Sequence, residues 1–178
     1  VARVPLMVRY PDRFPRGAIE ETPASLVDLM PTFLAAASAD ADDTDLQGTD
    51  LAALVGHGGR RTVYSQIQHG GHGVYMAYNG ELKYYYSEPD QKEYLIDHRV
   101  DPAETLNRAY NPLCSDDVAA MREELIGTLR EEGYTEPLDG DGWKTYPKLE
   151  VPESPDGGLL IQDAGWSVPH YRIEGYTD

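Results

Sequence analysis

The stretch Val74-Tyr-Met-Ala-Tyr-Asn-Gly-Glu-Leu-Lys-Tyr-Tyr-Tyr86 contains two runs rich in aromatic and apolar residues, one on either side of Asn79-Gly80. Such runs are typical of β-strands. Asn-Gly is the strongest short signal for a two-residue hairpin turn, because both residues accept positive φ. The sequence therefore predicts two antiparallel strands at 74–78 and 81–86, with Asn79-Gly80 as the turn that sets their register.

Working outward, the flanking segments predict two further strands and one helix. Residues 62–68 and 93–97 have strand composition and are joined to the central pair by short turns, which favours a four-stranded antiparallel meander. After it, Ser115 or Asp116 is a suitable helix cap and Gly133 a suitable helix end. Between them, apolar residues recur at helical spacing, which predicts a helix lying across one face of the sheet: Val118, Met121, Leu125 and Leu129.

The two ends of the chain have different patterns. Residues 4–9 are nearly continuously apolar and predict a buried strand, and Asp28 is a suitable N-cap for a helix through Leu34. Residues 134–178 are dense in Gly, Pro and acidic side chains. They predict an irregular tail, which Trp143 and Trp166 would hold against the core.

The composition excludes some partners. The chain has 31 acidic and 15 basic residues in 178, a formal net charge of -16. Such a field repels nucleic acid and anionic membrane surfaces, so we expect neither as a partner. The sequence has no apolar run of about 18 residues, the length of a membrane span. Cys114 is the only cysteine, which excludes an intrachain disulfide and a Cys-based zinc site.

Several segments, in this order, resemble motifs of type I sulfatases, which belong to the alkaline-phosphatase-like superfamily. The segments are Arg3-Val-Pro-Leu-Met-Val-Arg-Tyr-Pro11, Ser25-Leu-Val-Asp-Leu-Met-Pro-Thr32, Gly80-Glu-Leu-Lys-Tyr84, and Glu93-Tyr-Leu-Ile-Asp97 followed by Asp101-Pro-Ala-Glu-Thr-Leu-Asn107. Ile96 stands where an aromatic residue is usual. In sulfatases these motifs come late in the chain, so the resemblance implies a carboxy-terminal portion.

The resemblance implies an α/β fold in which residues 1–60 form the end of an alkaline-phosphatase-like α/β domain. Residues 61–133 would form a small α+β subdomain, made of a four-stranded antiparallel sheet with one packed helix. Residues 134–178 would follow as a docked tail.

The family's chemistry implies groups that this chain does not supply. Sulfatases oxidise the first residue of a Cys/Ser-x-Pro-x-Arg motif to formylglycine, whose hydrate attacks the sulfate, and they hold a calcium ion with Asp and Asn side chains. Cys114 is followed by Ser-Asp-Asp-Val, without the Pro or the Arg, and Ser167-Val-Pro-His-Tyr171 has Tyr where the Arg is needed. Asp97-His98 is similar to a metal-ligand pair but is more typical of a strand end. We therefore expect no catalytic residue and no metal ligand in this chain, and calcium and formylglycine on a missing amino-terminal part.

His69 and His72 are the candidate substrate-binding residues. They lie in Gln68-His-Gly-Gly-His-Gly73, where three glycines let a ligand approach the backbone closely and two imidazoles offer polar contacts. An exposed hairpin loop is the alternative interpretation of the same pattern. Sulfatases commonly bring this connection to the rim of the active-site cleft, so the resemblance favours contact with the non-sulfate part of the substrate. Tyr75, Tyr78 and Tyr84–Tyr86 could stack on a sugar, but at least half of them are expected in the core.

The sequence predicts part of an enzyme that hydrolyses a small-molecule or carbohydrate sulfate ester to an alcohol and inorganic sulfate. The chain would supply scaffold and rim residues and would be inactive in isolation. Two alternatives remain open: part of a related phosphonate or phosphodiester hydrolase, and a non-catalytic stand-alone module.

Overall fold

The fold is built on the predicted four-stranded antiparallel sheet, seen in a computed structural model that describes residues 4–39, 46–56 and 60–147. The strands are β1 (Val63–Ile67), β2 (Val74–Tyr78), β3 (Leu82–Ser87) and β4 (Lys92–Asp97). They pair in sequence order, each antiparallel to the next. The predicted four-stranded antiparallel sheet is therefore confirmed. The chain divides after Lys148 into two units, and all the described residues belong to the first.

The central hairpin has a different turn centre from the one predicted. The N–H of Asn79 donates to the carbonyl of Leu82 at 3.1 Å, so Gly80 and Glu81 are the two residues between paired positions. Gly80 has φ +95°, whereas Asn79 does not have positive φ. The Asn79 side chain accepts the N–H groups of Glu81 and Leu82 instead. The prediction of Asn79-Gly80 as the turn was one residue off, because an asparagine side chain can bond to the backbone two and three residues on.

One face of the sheet packs on the long helix α2 (Ser115–Glu131). Alternate residues of each strand point to this face. The shared core contains six buried sheet residues and four buried helix residues: Tyr75, Ala77, Leu82, Tyr84, Tyr86, Leu95, Val118, Met121, Leu125 and Leu129. The four predicted helix positions are all in it. Three of the five tyrosines considered from the sequence are therefore core residues, and Tyr78 and Tyr85 lie half-buried on the opposite face.

Helix α2 ends as predicted but begins differently. Gly133 has φ +75° and donates to the Arg130 carbonyl, while the N–H of Tyr134 donates to the Leu129 carbonyl at 2.8 Å, which is a Schellman motif. At the other end, neither Ser115 nor Asp116 caps the helix. A 3₁₀ turn at Pro112–Cys114 precedes it, and the Asn111 side chain accepts the N–H of Leu113 at 3.0 Å.

Hydrogen bonds of Glu93 connect β4 to α2, and stacking of Trp143 connects the segment after α2 to this core. Glu93 on β4 accepts hydrogen bonds from Arg122 of α2 (Oε2 to Nη2, 2.7 Å) and from the Tyr84 hydroxyl (2.6 Å). Trp143 stacks on Tyr86 with ring centroids 4.6 Å apart and donates its indole N–H to Tyr84 at 2.8 Å. Trp143 lies in a short hairpin of β5 (Leu138–Asp139) and β6 (Gly142–Trp143), so residues 134–147 dock on the core. Trp166 lies outside the described residues.

The segment before the sheet is helical and is tied to it by one buried carboxylate. It contains a 3₁₀ turn (Leu26–Asp28), helix α1 (Leu29–Ala36) and a second 3₁₀ turn (Leu51–Ala53). Asp28 is fully buried and accepts two hydrogen bonds from the Arg61 guanidinium, at 2.7 and 2.6 Å, and one from the Thr49 N–H. Burial alone would raise the pKa of Asp28, but these bonds outweigh it and lower the pKa. Asp28 also accepts the Ser25 N–H at 2.6 Å, so its side chain caps the preceding turn and makes no cap bond in α1.

The strand predicted at residues 4–9 is absent. Residues 4–10 have no regular secondary structure, and Met7 is 92% exposed. A strand of this composition needs neighbours on both sides. The described four-stranded sheet, with its strands in the order β1-β2-β3-β4, does not include residues 4–9. The segment before the sheet leaves a broad set of apolar side chains exposed: Val4, Leu6, Met7, Val8, Ile19, Leu26, Val27, Met30 and Phe33.

Candidate functional site

The loop between β1 and β2, residues 68–73, carries both candidate histidines. It lies at one end of the sheet, and the side chains of His69 and His72 are exposed. The N–H of His72 donates to the His69 carbonyl at 3.3 Å, so the two residues bracket a tight turn. Gly70 and Gly71 within it have φ +64° and +89°, which explains why glycine occupies these positions.

A buried carboxylate lies beneath the loop. Oε2 of Glu88 accepts the N–H groups of Gly71 at 2.7 Å and Gly73 at 2.8 Å, and Oε1 accepts the Tyr75 hydroxyl at 3.2 Å. Burial raises the pKa of Tyr75 above its ordinary value, with further contributions from Tyr134 and the Glu88 charge. Glu88 was not predicted from the sequence as part of the site, because a Glu in the turn Ser87–Asp90 carries no signal that it points inward.

The segment after α2 forms one side of the loop surface. Oε2 of Glu136 is 3.7 Å from Nδ1 of His69, and the Tyr134 hydroxyl accepts a hydrogen bond from Nε2 of Gln66 at 2.9 Å. The Tyr146 ring lies directly against Gly71, where an added Cβ would meet ring atoms at 3.4 Å. These neighbours come from a region that the sequence predicted only as a tail.

The loop surface presents several hydrogen-bonding groups. Two exposed imidazoles beside a carboxylate and a phenol can donate and accept hydrogen bonds to hydroxyl or amide groups. The loop can therefore contact a polar ligand.

The other residues singled out from the sequence have structural contacts. His98 lies between the Tyr78 hydroxyl (3.4 Å) and Glu104 (3.0 Å), and Asp97 accepts hydrogen bonds from Arg99. Cys114 is half-buried in the 3₁₀ turn before α2. Residues 167–171 lie outside the described residues.

The metal and the oxidised residue that the resemblance implies do not fit this part of the chain. Within 4–39, 46–56 and 60–147, no group of three or more His, Cys, Asp or Glu side chains is arranged to hold a metal ion. Cys114 lacks the sequence context for formylglycine.

None of the helices in the described ranges is long and apolar enough to cross a bilayer.

Sulfatases are among the solved structures that share this fold. No family model and no curated protein matches the chain. A candidate sulfatase from Bacteroides thetaiotaomicron is 24% identical with a TM-score of 0.53, over 67% of this chain and 27% of that one. BT4656, solved in complex with its substrate D-glucosamine-2-N,6-O-disulfate, is 21% identical with a TM-score of 0.57, over 72% and 28%. BT1596, a 2-O GAG sulfatase, is 22% identical with a TM-score of 0.52, over 68% and 30%.

These matches confirm, at the level of fold, the resemblance that the motifs indicate. The chain shares the fold of one part of the solved sulfatases and spans less than a third of their length.

Proposed function

We propose that this chain is the carboxy-terminal part of a sulfatase that hydrolyses a sulfate ester to an alcohol and inorganic sulfate. Residues 1–60 would complete the large α/β domain, residues 61–133 would form the small subdomain, and residues 134–178 would form a tail docked on it. The chain supplies scaffold and substrate-rim residues, while the nucleophile, the calcium ligands and the formylglycine belong to an amino-terminal catalytic part. The observation that carries this proposal is the shared fold together with the late position of the matching motifs.

The exposed apolar side chains before the sheet support a catalytic part as partner. Met7 and Ile19 are each 92% exposed, and Phe33 is 63% exposed. A contiguous apolar surface is characteristic of an interface, and we propose that these side chains belong to one. A larger α/β domain seated there would bury it and would supply the neighbours that residues 4–9 lack.

His69 and His72 are proposed to contact the part of the substrate that bears the alcohol. Their exposure at one end of the sheet and the hydrogen-bonding side chains around them support this role. A carbohydrate sulfate ester is the proposed substrate class, since hydroxyl groups of a sugar match these donors and acceptors and since BT4656 acts on a sulfated amino sugar. A contact of this kind orients the leaving group without touching the sulfur.

The test is His69→Ala and His72→Ala in the longer protein, assayed with a sulfated sugar and with a small aryl sulfate. We expect kcat/KM to fall about 10- to 100-fold on the sugar and less than about 2-fold on the aryl sulfate, because the small substrate does not reach the loop. Glu123→Ala, an exposed change on α2, is the matched control. Equal rates for all variants on both substrates would remove the histidines from the site.

A second assay tests the division of roles. The 178-residue chain alone, with calcium and an aryl sulfate, should give no turnover, and turnover would refute the absence of a nucleophile. Hydrolysis of a phosphonate monoester but no sulfate ester by the longer protein would favour the related hydrolase instead.

A further inference from the structure

Glu88 is the most deeply buried acidic side chain in contact with the histidine loop. Its residue is 1% exposed, and its three polar partners are the N–H groups of Gly71 and Gly73 and the hydroxyl of Tyr75. Among the described residues, no Arg or Lys forms an ion pair with it. A buried carboxylate is costly unless it is paired or fully hydrogen-bonded.

We infer that Glu88 is the positioning residue of the loop, holding His69 and His72 in place through the backbone between and beside them. Two N–H groups converge on a single oxygen, Oε2, as in the backbone concavities that bind anions. Each bond is charge-assisted and is therefore stronger than a bond between neutral groups. The expected effect of Glu88 on substrate binding rests on the proposed function. The effect of Glu88 on the loop backbone does not.

The backbone of Glu88 also forms a hydrogen bond with Gly73. The N–H of Glu88 donates to the Gly73 carbonyl at 2.9 Å, while its carboxylate accepts the Gly73 N–H. Gly73 is thus fastened at both of its polar groups, one residue from His72. A side chain at Gly73 is excluded, since an added Cβ would lie 2.5 Å from the Tyr75 hydroxyl and 2.8 Å from Oε2 of Glu88.

Gly71, the other partner, lies between the two histidines and is covered by Tyr146. The loop is therefore held from below by Glu88 and from the side by an aromatic ring. The histidine side chains contribute little to this hold, because both are exposed and their one described ion pair, His69 with Glu136, is 3.7 Å long. Their orientation follows from the backbone, and the backbone is set by Glu88.

The first experiment measures amide hydrogen exchange in the longer protein, by mass spectrometry of a peptide covering residues 67–74. In Glu88→Ala, exchange in this peptide should rise about 10- to 100-fold, the range expected when charge-assisted hydrogen bonds are lost. Glu88→Gln should lie between this variant and the natural protein, since the amide oxygen can still accept both N–H groups. A peptide covering β4 reports on the remainder of the sheet and should not change.

Unchanged exchange in the loop peptide would overturn the inference. An equal rise in the loop and in β4 would also overturn it, because Glu88 would then stabilise the whole subdomain and not the loop in particular. If Glu88→Ala does not fold, Glu88→Gln alone decides by the same comparison of the two peptides.

The second experiment tests whether the hydrogen bonds of Glu88 to the loop affect substrate binding. Glu88→Ala should raise KM for a sulfated sugar about 10-fold and leave kcat for an aryl sulfate within about 2-fold, with partial rescue by Glu88→Gln. If His69→Ala and His72→Ala affect the sugar but Glu88→Ala does not, Glu88 is not a positioning residue. If none of the three affects it, the proposed function of the loop fails, and hydrogen exchange still decides whether Glu88 holds the loop.

Discussion

Lys83 on β3 and Glu104 in the segment after β4 form an ion pair, with Nζ 2.7 Å from Oε1. His98 contacts the same oxygen at 3.0 Å. The pair joins two motifs that are well separated in sequence, Gly80-Glu-Leu-Lys-Tyr84 and Asp101-Pro-Ala-Glu-Thr-Leu-Asn107. These residues of the two motifs therefore connect β3 to the segment after β4.

Two other residues of the second motif have similar structural roles. Asp101 accepts the N–H groups of Thr105 and Leu106, at 3.1 and 2.9 Å, and so shapes the turn after β4. The Asn107 side chain accepts the Leu95 N–H and donates to the Glu93 carbonyl, both at 3.0 Å. It therefore satisfies backbone groups on the outer edge of β4, which would otherwise remain open.

Replacing Glu104 by Gln should lower the free energy of unfolding by about 1 kcal/mol at neutral pH, the upper range for a half-buried pair near the surface. The Lys83 hydrogen bond is the main cause that lowers the pKa of Glu104 in the folded protein. A lowered pKa stabilises the fold at pH values above the ordinary pKa of the carboxyl group, and this contribution is lost as the pH falls through the folded value. The difference between the natural chain and Glu104→Gln should therefore shrink below about pH 4.5.

Urea unfolding at pH 7, 5, 4 and 3 measures this difference. Glu123→Gln, on the exposed face of α2, is the control and should show no such trend. A gap between the natural chain and Glu104→Gln that stays constant down to pH 3 would contradict the role of Lys83 in setting the pKa.

Replacing Gly80 by Val should cost about 1–3 kcal/mol of stability, because φ +95° is strained for a β-branched residue. Packing is not the reason, since an added Cβ would meet only Pro23 at an ordinary 3.5 Å. Glu81→Val, at the other central turn position and without positive φ, is the matched control and should cost much less. Equal melting temperatures for the natural chain and Gly80→Val would show that the turn does not depend on Gly80.

The sheet, its strand order and the helix that covers it could be predicted from the sequence because their signals are local. Alternation, turn residues and the apolar stripe of Val118, Met121, Leu125 and Leu129 each act within a few residues of the chain. The turn centre was missed by one residue, since the Asn79 side chain competes with the backbone for the same hydrogen bonds.

The surroundings of the candidate site could not be predicted, because they depend on contacts between residues far apart in sequence. Glu88 meets Gly71 from 17 residues away, and Trp143 meets Tyr84 from 59 residues away. The apolar segment at residues 4–9 was misassigned for a related reason. Its pattern is typical of a strand within a larger sheet, and the described four-stranded sheet does not include it.

Replacing Trp143 by Ala should destabilise the subdomain by about 3 kcal/mol or more, as expected for removing a large aromatic side chain from a packed position. The change removes stacking on Tyr86 and Tyr75 and leaves the Tyr84 hydroxyl without its indole donor. Trp143→Phe should cost less stability, since it keeps an aromatic ring in place.

Tyr110→Ala, at a 66% exposed residue, serves as the control in urea unfolding. If Trp143→Ala is as stable as this control, residues 134–147 are not part of the folded core.

The exposed apolar side chains before the sheet should make the isolated chain self-associate. Met7 and Ile19 are each 92% exposed, and contiguous apolar surface promotes association in water. Replacing both by Glu should reduce self-association and the binding of an apolar dye, and should leave the melting temperature within about 1 °C, because neither side chain is packed in the core. Leu113 is equally exposed but lies in the 3₁₀ turn before α2, so Leu113→Glu controls for added negative charge. Sedimentation at increasing concentration distinguishes the outcomes. Two results would contradict this prediction. The unsubstituted chain could stay monomeric, or Leu113→Glu could reduce self-association as fully as the Met7→Glu, Ile19→Glu variant does. Either result would show that the surface around Met7 and Ile19 does not drive self-association.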